Sequence, residues 1–120
     1  MLNPDALGPD RGHLDPAPIV AAQVFAALGD RTRLSLLNKL GDGQARSIAK
    51  LSTDTRLTRQ AITKHLHVLQ DAGLVASIRV GRESRFACRR ETIDEARAYL
   101  DRVSAQWDDA LARLQAFVEE

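Results

Sequence analysis

Four side chains between residues 60 and 67 have the chemistry to grip a nucleic acid: Gln60, Thr63, Lys64 and His67. Gln60, Thr63, Lys64 and His67 stand at i, i+3, i+4 and i+7, so on a helix they share one face. Ile62, Leu66 and Leu69 fall at helical spacing on another face and must point to a core. An exposed stripe of amide, hydroxyl, ammonium and imidazole groups can bond base edges and phosphate oxygens together. On an isolated helix such a stripe would be ordinary solvated surface, so its neighbours decide its meaning. Arg79, Arg82, Arg85 and Arg89 follow around Gly81-Arg82-Glu83-Ser84. Arginines on a hairpin suit phosphates or a narrow minor groove, although they also serve to keep a sheet edge soluble.

The elements that must hold these groups are legible from caps and periodicity. Residues 1–18 contain Pro4, Pro9, Pro16, Pro18, Gly8 and Gly12 without periodicity, and are expected to form a disordered or loosely attached arm. A first helix is expected from about Ile19 to Leu28, with Val20, Val24, Ala27 and Leu28 on one stripe and Gly29 as a left-handed cap. Asp30 is a good N-cap for a second helix, about Thr32 to Leu40, with Leu34, Leu37 and Leu40 inward. A short third helix is expected over Ala45–Leu51, burying Ile48 and Leu51. Thr58 caps a fourth, which runs to about Asp71 and is closed by Gly73. Two strands follow, about Leu74–Val80 and Arg85–Arg89, with Phe86 and Cys88 on one face of the second. This order is that of a winged helix-turn-helix: a mainly α fold with a small β-hairpin, in which one helix enters a DNA major groove and the hairpin lies beside it.

The last helix, about Thr92 to Glu119, carries Ala96, Leu100, Val103, Trp107, Ala110, Leu114 and Phe117 at alternating spacings of four and three. That is a coiled-coil seam, broadened by Ile93, Leu111 and Val118. A small domain cannot cover so long a seam alone. The simplest partner is the same helix in a second copy, giving a homodimer through the terminal helices, with some packing on the first helix of its own chain. The residues expected at that interface are Val20, Val24, Leu100, Val103, Trp107, Leu111 and Leu114.

Charge is segregated along the chain. The net charge is +1, yet residues 19–90 carry thirteen Lys/Arg against five Asp/Glu, and residues 91–120 carry three against eight. A basic middle fits a polyanionic partner. At 120 residues, one domain is expected over 19–120 behind the arm. No apolar run approaches the roughly 18 residues of a membrane span, and no basic stretch leads an apolar one at the start, so neither membrane nor signal peptide is expected. The single cysteine, Cys88, permits no internal disulfide. The default location is the cytoplasm.

Three stretches carry a family likeness. Phe25-Ala26-Ala27-Leu28-Gly29-Asp30-Arg31-Thr32-Arg33-Leu34 resembles the opening of the ArsR-type winged-helix repressors. Thr63-Lys64-His65-Leu66-His67-Val68-Leu69 with Ala72-Gly73-Leu74-Val75 resembles their recognition segment, and Gly81-Arg82-Glu83-Ser84-Arg85-Phe86 their wing. The likeness spans about residues 19–118. It implies a dimeric regulator that binds double-stranded DNA, usually a repressor released by an inducer, here unknown. The DNA-binding residues it implies, with those read from the hairpin, are Thr58, Arg59, Gln60, Thr63, Lys64, His67, Arg79, Arg82 and Arg85. His65 matches the motif but lies beside Ile62, Leu66 and Leu69, so a structural role is expected, its polar edge reaching a phosphate or backbone group.

The chain departs from the family's metal sensors. It has no cysteine near residues 45–60 and no histidine after His67. His65 and His67 diverge by about 200° on a helix. No metal site and no cofactor are expected. Two other functions compete: a winged helix used for protein association, against which the arginine-rich hairpin argues, and a ligand or redox sensor acting through Cys88 or the dimer interface. A buried lone thiol is more often a small hydrophobe. No catalytic set can be assembled from these residues, so no enzyme is expected.

Overall fold

The computed structural model describes residues 16–119. Helix α1 (Pro16–Leu28) starts three residues before Ile19. Pro16 and Pro18, which read as breakers in the sequence, occupy the first turn, where backbone N–H groups lack helical partners in any case. The remainder of the expected arm, residues 1–15, lies outside the described residues. At the other end of α1, Gly29 is not the left-handed cap expected of it; among the described residues the positive-φ glycines are Gly43, Gly73 and Gly81. The Gly29 N–H instead donates to the Ala26 carbonyl, and the Arg33 guanidinium donates to the carbonyls of Ala27 at 2.6 Å and Ala26 at 3.3 Å.

Helix α2 (Arg31–Lys39) is capped by Asp30, whose carboxylate accepts from the Arg33 N–H at 3.0 Å. Its buried leucines are Leu36 and Leu40, one turn apart, with Leu37 half-buried. Leu34, expected inward, is 44% exposed. Once Leu36 and Leu40 set the inner face, Leu34 stands about 200° from Leu36 around the axis.

The helix expected over 45–51 is divided. Arg46–Ser47 form a short strand, β1, and only Ile48–Leu51 are helical, as α3. Ser47 caps α3, its hydroxyl accepting from the Lys50 N–H at 3.1 Å. Helix α4 (Arg59–Asp71) follows, capped by Thr58. Strands β2 (Val75–Val80) and β3 (Glu83–Cys88) form the hairpin, and helix α5 (Arg90–Glu119) ends the described chain. β3 begins two residues before the expected Arg85, and α5 two before Thr92. The sheet is three-stranded and antiparallel, in the order β1-β3-β2, with Arg46 opposite Phe86 and Ser47 opposite Arg85. The small hairpin therefore gains a third strand from the segment leading into α3.

One core joins every helix to the base of the hairpin. Val24 and Ala27 from α1, Leu36 and Leu40, Leu51 from α3, Ile62, Leu66 and Leu69 from α4, Leu74, Val75, Phe86 and Ala96 from α5 form one buried cluster. Full burial of such a side chain stabilises by about 1.5–3 kcal/mol relative to exposure. The expected stripe of α4 is thus its inner face. Phe86 is buried as expected of its strand face, with Cys88 partly covered.

Candidate nucleic-acid interface

Helix α4 is fixed at both ends by its own sequence. At its start the Thr58 hydroxyl accepts from the Ala61 N–H at 3.0 Å. At its end the Gly73 N–H bonds the Gln70 carbonyl and the Leu74 N–H bonds the Leu69 carbonyl, each at 2.9 Å. This is a Schellman closure, and it requires the left-handed φ of +78° that Gly73 adopts. Leu69 and Leu74, the apolar pair of that motif, are fully buried. With Ile62, Leu66 and Leu69 inward, Gln60, Lys64 and His67 are exposed on the opposite side, within about 60° of one another around the axis.

The two threonines differ in what they can offer. The Thr58 oxygen accepts from the backbone, so its O–H is available to donate to a phosphate. The Thr63 hydroxyl donates to the Arg59 carbonyl at 2.8 Å and is half-buried, so it can only accept from a ligand. Arg59 is exposed at the N-terminal turn, where the helix dipole also favours an anion. His65 faces away from the stripe. It is half-buried with Nδ1 3.8 Å from Asp30 Oδ2, a carboxylate partner rather than the phosphate or backbone group expected.

Two features of this surface escaped the sequence reading. Arg56, exposed in the loop before Thr58, adds a cation at the N-terminal end of α4. Its signal was simply a basic residue just upstream of an N-cap. Asp71 stands four residues after His67 on the same stripe and is exposed. Its negative charge makes the C-terminal end of the stripe less favourable to an anion than the N-terminal end.

The hairpin arginines do not form one set. In the β2–β3 register Ile78 faces Arg85 and Arg79 faces Ser84, so Arg79 and Arg85 project from opposite faces of the ribbon. Arg85 Nε donates to Glu83 Oε1 at 2.7 Å, and Arg79 Nε to the Gly81 carbonyl at 3.3 Å. Arg82 sits exposed in the turn, beside Gly81 with its φ of +63°. The tip thus presents Arg82 outward while its neighbours are partly engaged. Arg46 is engaged more fully: its guanidinium donates to the Lys39 carbonyl at 2.6 Å and to both carboxylate oxygens of Asp42. That pairing holds the Asp42 carboxyl well below the ordinary carboxylate range.

The expected association residues divide as well. Val24 is buried in the chain's own core and offers no surface to a second copy. Val20, Leu100, Trp107, Leu111 and Leu114 are exposed, Trp107 at 64%, and Val103 is half-covered. Phe117 and Val118 extend the bare seam. The N-terminal part of α5 packs on α1, where the Phe25 and Tyr99 rings lie 6.3 Å apart and Arg102 sits 5.7 Å over Tyr99. An apolar groove of about 310 Å³ opens there between Val20, Ala98, Tyr99 and Arg102. Among the described residues, no three of His, Cys, Asp and Glu come together as metal ligands, and no helix is long and apolar enough to cross a membrane.

Comparisons with known proteins agree with this architecture. A family model described as a helix-turn-helix domain matches residues 28–78. An uncharacterized HTH-type transcriptional regulator of Bacillus subtilis is 45% identical over 65 residues, which are 49% of this chain and 71% of that protein. One of Methanocaldococcus jannaschii is 33% identical over 61 residues, 51% of this chain and 68% of that protein. Among solved structures, an ArsR-like transcriptional regulator from Rhodococcus sp. RHA1 superposes with a TM-score of 0.79 at 39% identity, covering 86% of this chain and 96% of that one. The homodimeric winged helix-turn-helix DNA-binding domain of a possible ArsR-family regulator from Mycobacterium bovis superposes with a TM-score of 0.61 at 27% identity, covering 85% of this chain and 94% of that one.

Proposed function

The chain belongs to the ArsR-type winged helix-turn-helix transcriptional regulators, and from that premise we propose that it is a homodimeric repressor that reads a palindromic operator and does not sense metal. One observation carries the DNA-reading part. The exposed Gln60–Lys64–His67 stripe lies directly opposite the buried Ile62–Leu66–Leu69 stripe, so the core itself orients the polar face outward. Gln can bond adenine through a bidentate amide, Lys can reach guanine acceptors, and Thr58, Arg59 and Arg82 supply phosphate contacts.

The bare apolar seam of α5 from Leu100 to Val118 supports self-association, as does the homodimeric neighbour from Mycobacterium bovis. A two-fold dimer places two α4 helices against half-sites related by the same symmetry, hence a palindrome. The non-metal part of the proposal rests on the sequence, which has no cysteine near residues 45–60 and no histidine after His67. Burial pushes the Cys88 thiol up, as expected of a small hydrophobe in a strand face. In-vitro selection from a random duplex library should return an inverted repeat. Enrichment of a single unpaired motif, or none, would contradict the proposal.

A further inference from the structure

The end of the reading helix and the start of the dimer helix meet at one buried hydrogen bond. The Thr92 hydroxyl, in the first turn of α5, donates to the Gly73 carbonyl at 2.5 Å. Thr92 is 8% exposed, a buried polar residue among the apolar side chains that join α5 to the body of the domain. Gly73 is the left-handed residue that terminates α4, so the acceptor is part of the Schellman closure itself. A second bond runs alongside, from the Arg89 N–H to the Leu74 carbonyl at 2.8 Å. Thus the two residues that close α4 are each tied to the entry of α5. Gly73 is also in contact range of Thr92: a Cβ built at Gly73 would lie 3.4 Å from the hydroxyl oxygen.

We propose that Thr92 is a positioning residue, whose bond to Gly73 sets the angle between the DNA-reading helix α4 and the dimerisation helix α5. The inference rests on the DNA-reading, dimeric function proposed above. In a two-fold dimer built on α5, the spacing of the two α4 helices is the α4–α5 angle expressed twice, so a small error at this joint is doubled at the DNA. A methyl in place of the hydroxyl removes the donor and leaves a carbonyl beside an apolar group. Serine keeps the donor. Packing against β2 and α1 holds α4 in place without this bond, and α5 stays seated on α1, so losing it should shift or loosen the α4–α5 angle rather than unfold either helix.

The test uses the full chain with spin labels at Gln70 and Asp101, both exposed, on a Cys88→Ala background. Labelled protein is diluted into unlabelled excess, so that the measured distance lies within one chain. The wild-type residue and Thr92→Ser should give one narrow distance distribution, and Thr92→Val a broadened or displaced one. A narrow, unmoved distribution in Thr92→Val would overturn the proposal. In parallel, Thr92→Val should bind the selected inverted repeat about tenfold more weakly, the order expected from one lost buried hydrogen bond, and Thr92→Ser within about twofold of wild type. Its discrimination against repeats with one base pair inserted between half-sites should fall too. A uniform loss across all spacings, with a lowered melting temperature in both variants, would mark a merely structural role and also overturn it. If the wild type selects no repeat, the DNA-reading function fails, while the distance measurement still decides the role of Thr92.

Discussion

His65 Nδ1 lies 3.8 Å from Asp30 Oδ2, so α4 touches the carboxylate that caps α2. Asp30 is thereby joined to two helices. Its carboxyl is held below its ordinary value of 3.8 chiefly by the Arg33 N–H, with the charges of Arg33 and His65 adding to it. Asp42 is depressed further, by the guanidinium of Arg46.

Acid should therefore destabilise this fold through specific carboxylates. A depressed folded value means that the unfolded chain binds the proton more readily. The stabilisation is complete above the ordinary value of 3.8 and is lost as pH falls through the folded values. Urea unfolding at about pH 6 and about pH 3 should show this loss, and Asp42→Asn should be less stable at the higher pH with a shallower acid dependence. Parallel acid profiles for wild type and variant would remove the Asp42–Arg46 pair from the account.

Leu66 is the centre of the inner face of α4 and is fully buried. Leu66→Ala should cost about 2–5 kcal/mol of unfolding free energy, read by chemical denaturation. A cost below about 1 kcal/mol would mean that α4 is held by something other than this stripe.

The outer stripe should show the opposite behaviour. Gln60→Ala with Lys64→Ala should leave the melting temperature within a few degrees and lower affinity for the selected operator by about a hundredfold or more. Arg82→Ala should weaken all duplexes alike and reduce the salt slope by about one. Titrations at several salt concentrations separate the two. Retained operator affinity in the double variant would remove α4 as the reading element.

Helix α4 was legible in the sequence almost to the residue, because a threonine cap, one apolar stripe and a closing glycine all act locally. The seam of α5 was legible for the same reason. Other parts depend on partners distant in sequence. Strand β1 is two residues long and exists only because Arg46 and Ser47 pair with Phe86 and Arg85. Leu34 and Leu36 both stand in a leucine-rich helix, and only the packed core chooses between them. The engagement of Arg85 by Glu83 and the opposition of Arg79 and Arg85 follow from strand register, which the composition of the hairpin does not reveal. Pro16 and Pro18 suggested an arm because a proline that breaks a helix interior is welcome in its first turn.

The apolar seam should govern assembly. Leu111→Glu or Leu114→Glu places a charge within the bare seam of α5 and should convert a dimer to a monomer at micromolar concentration by analytical ultracentrifugation, with the domain still folded by circular dichroism. An unchanged dimer would move the interface elsewhere.

The most direct test of the central claim is fluorescence anisotropy of the purified full chain against the duplex upstream of its own coding sequence and a scrambled duplex, at two salt concentrations. Tight binding to the first alone, weakening steeply as salt rises, is the predicted result. Equal weak binding to both would contradict a sequence-specific regulator, whatever the shape of its helices.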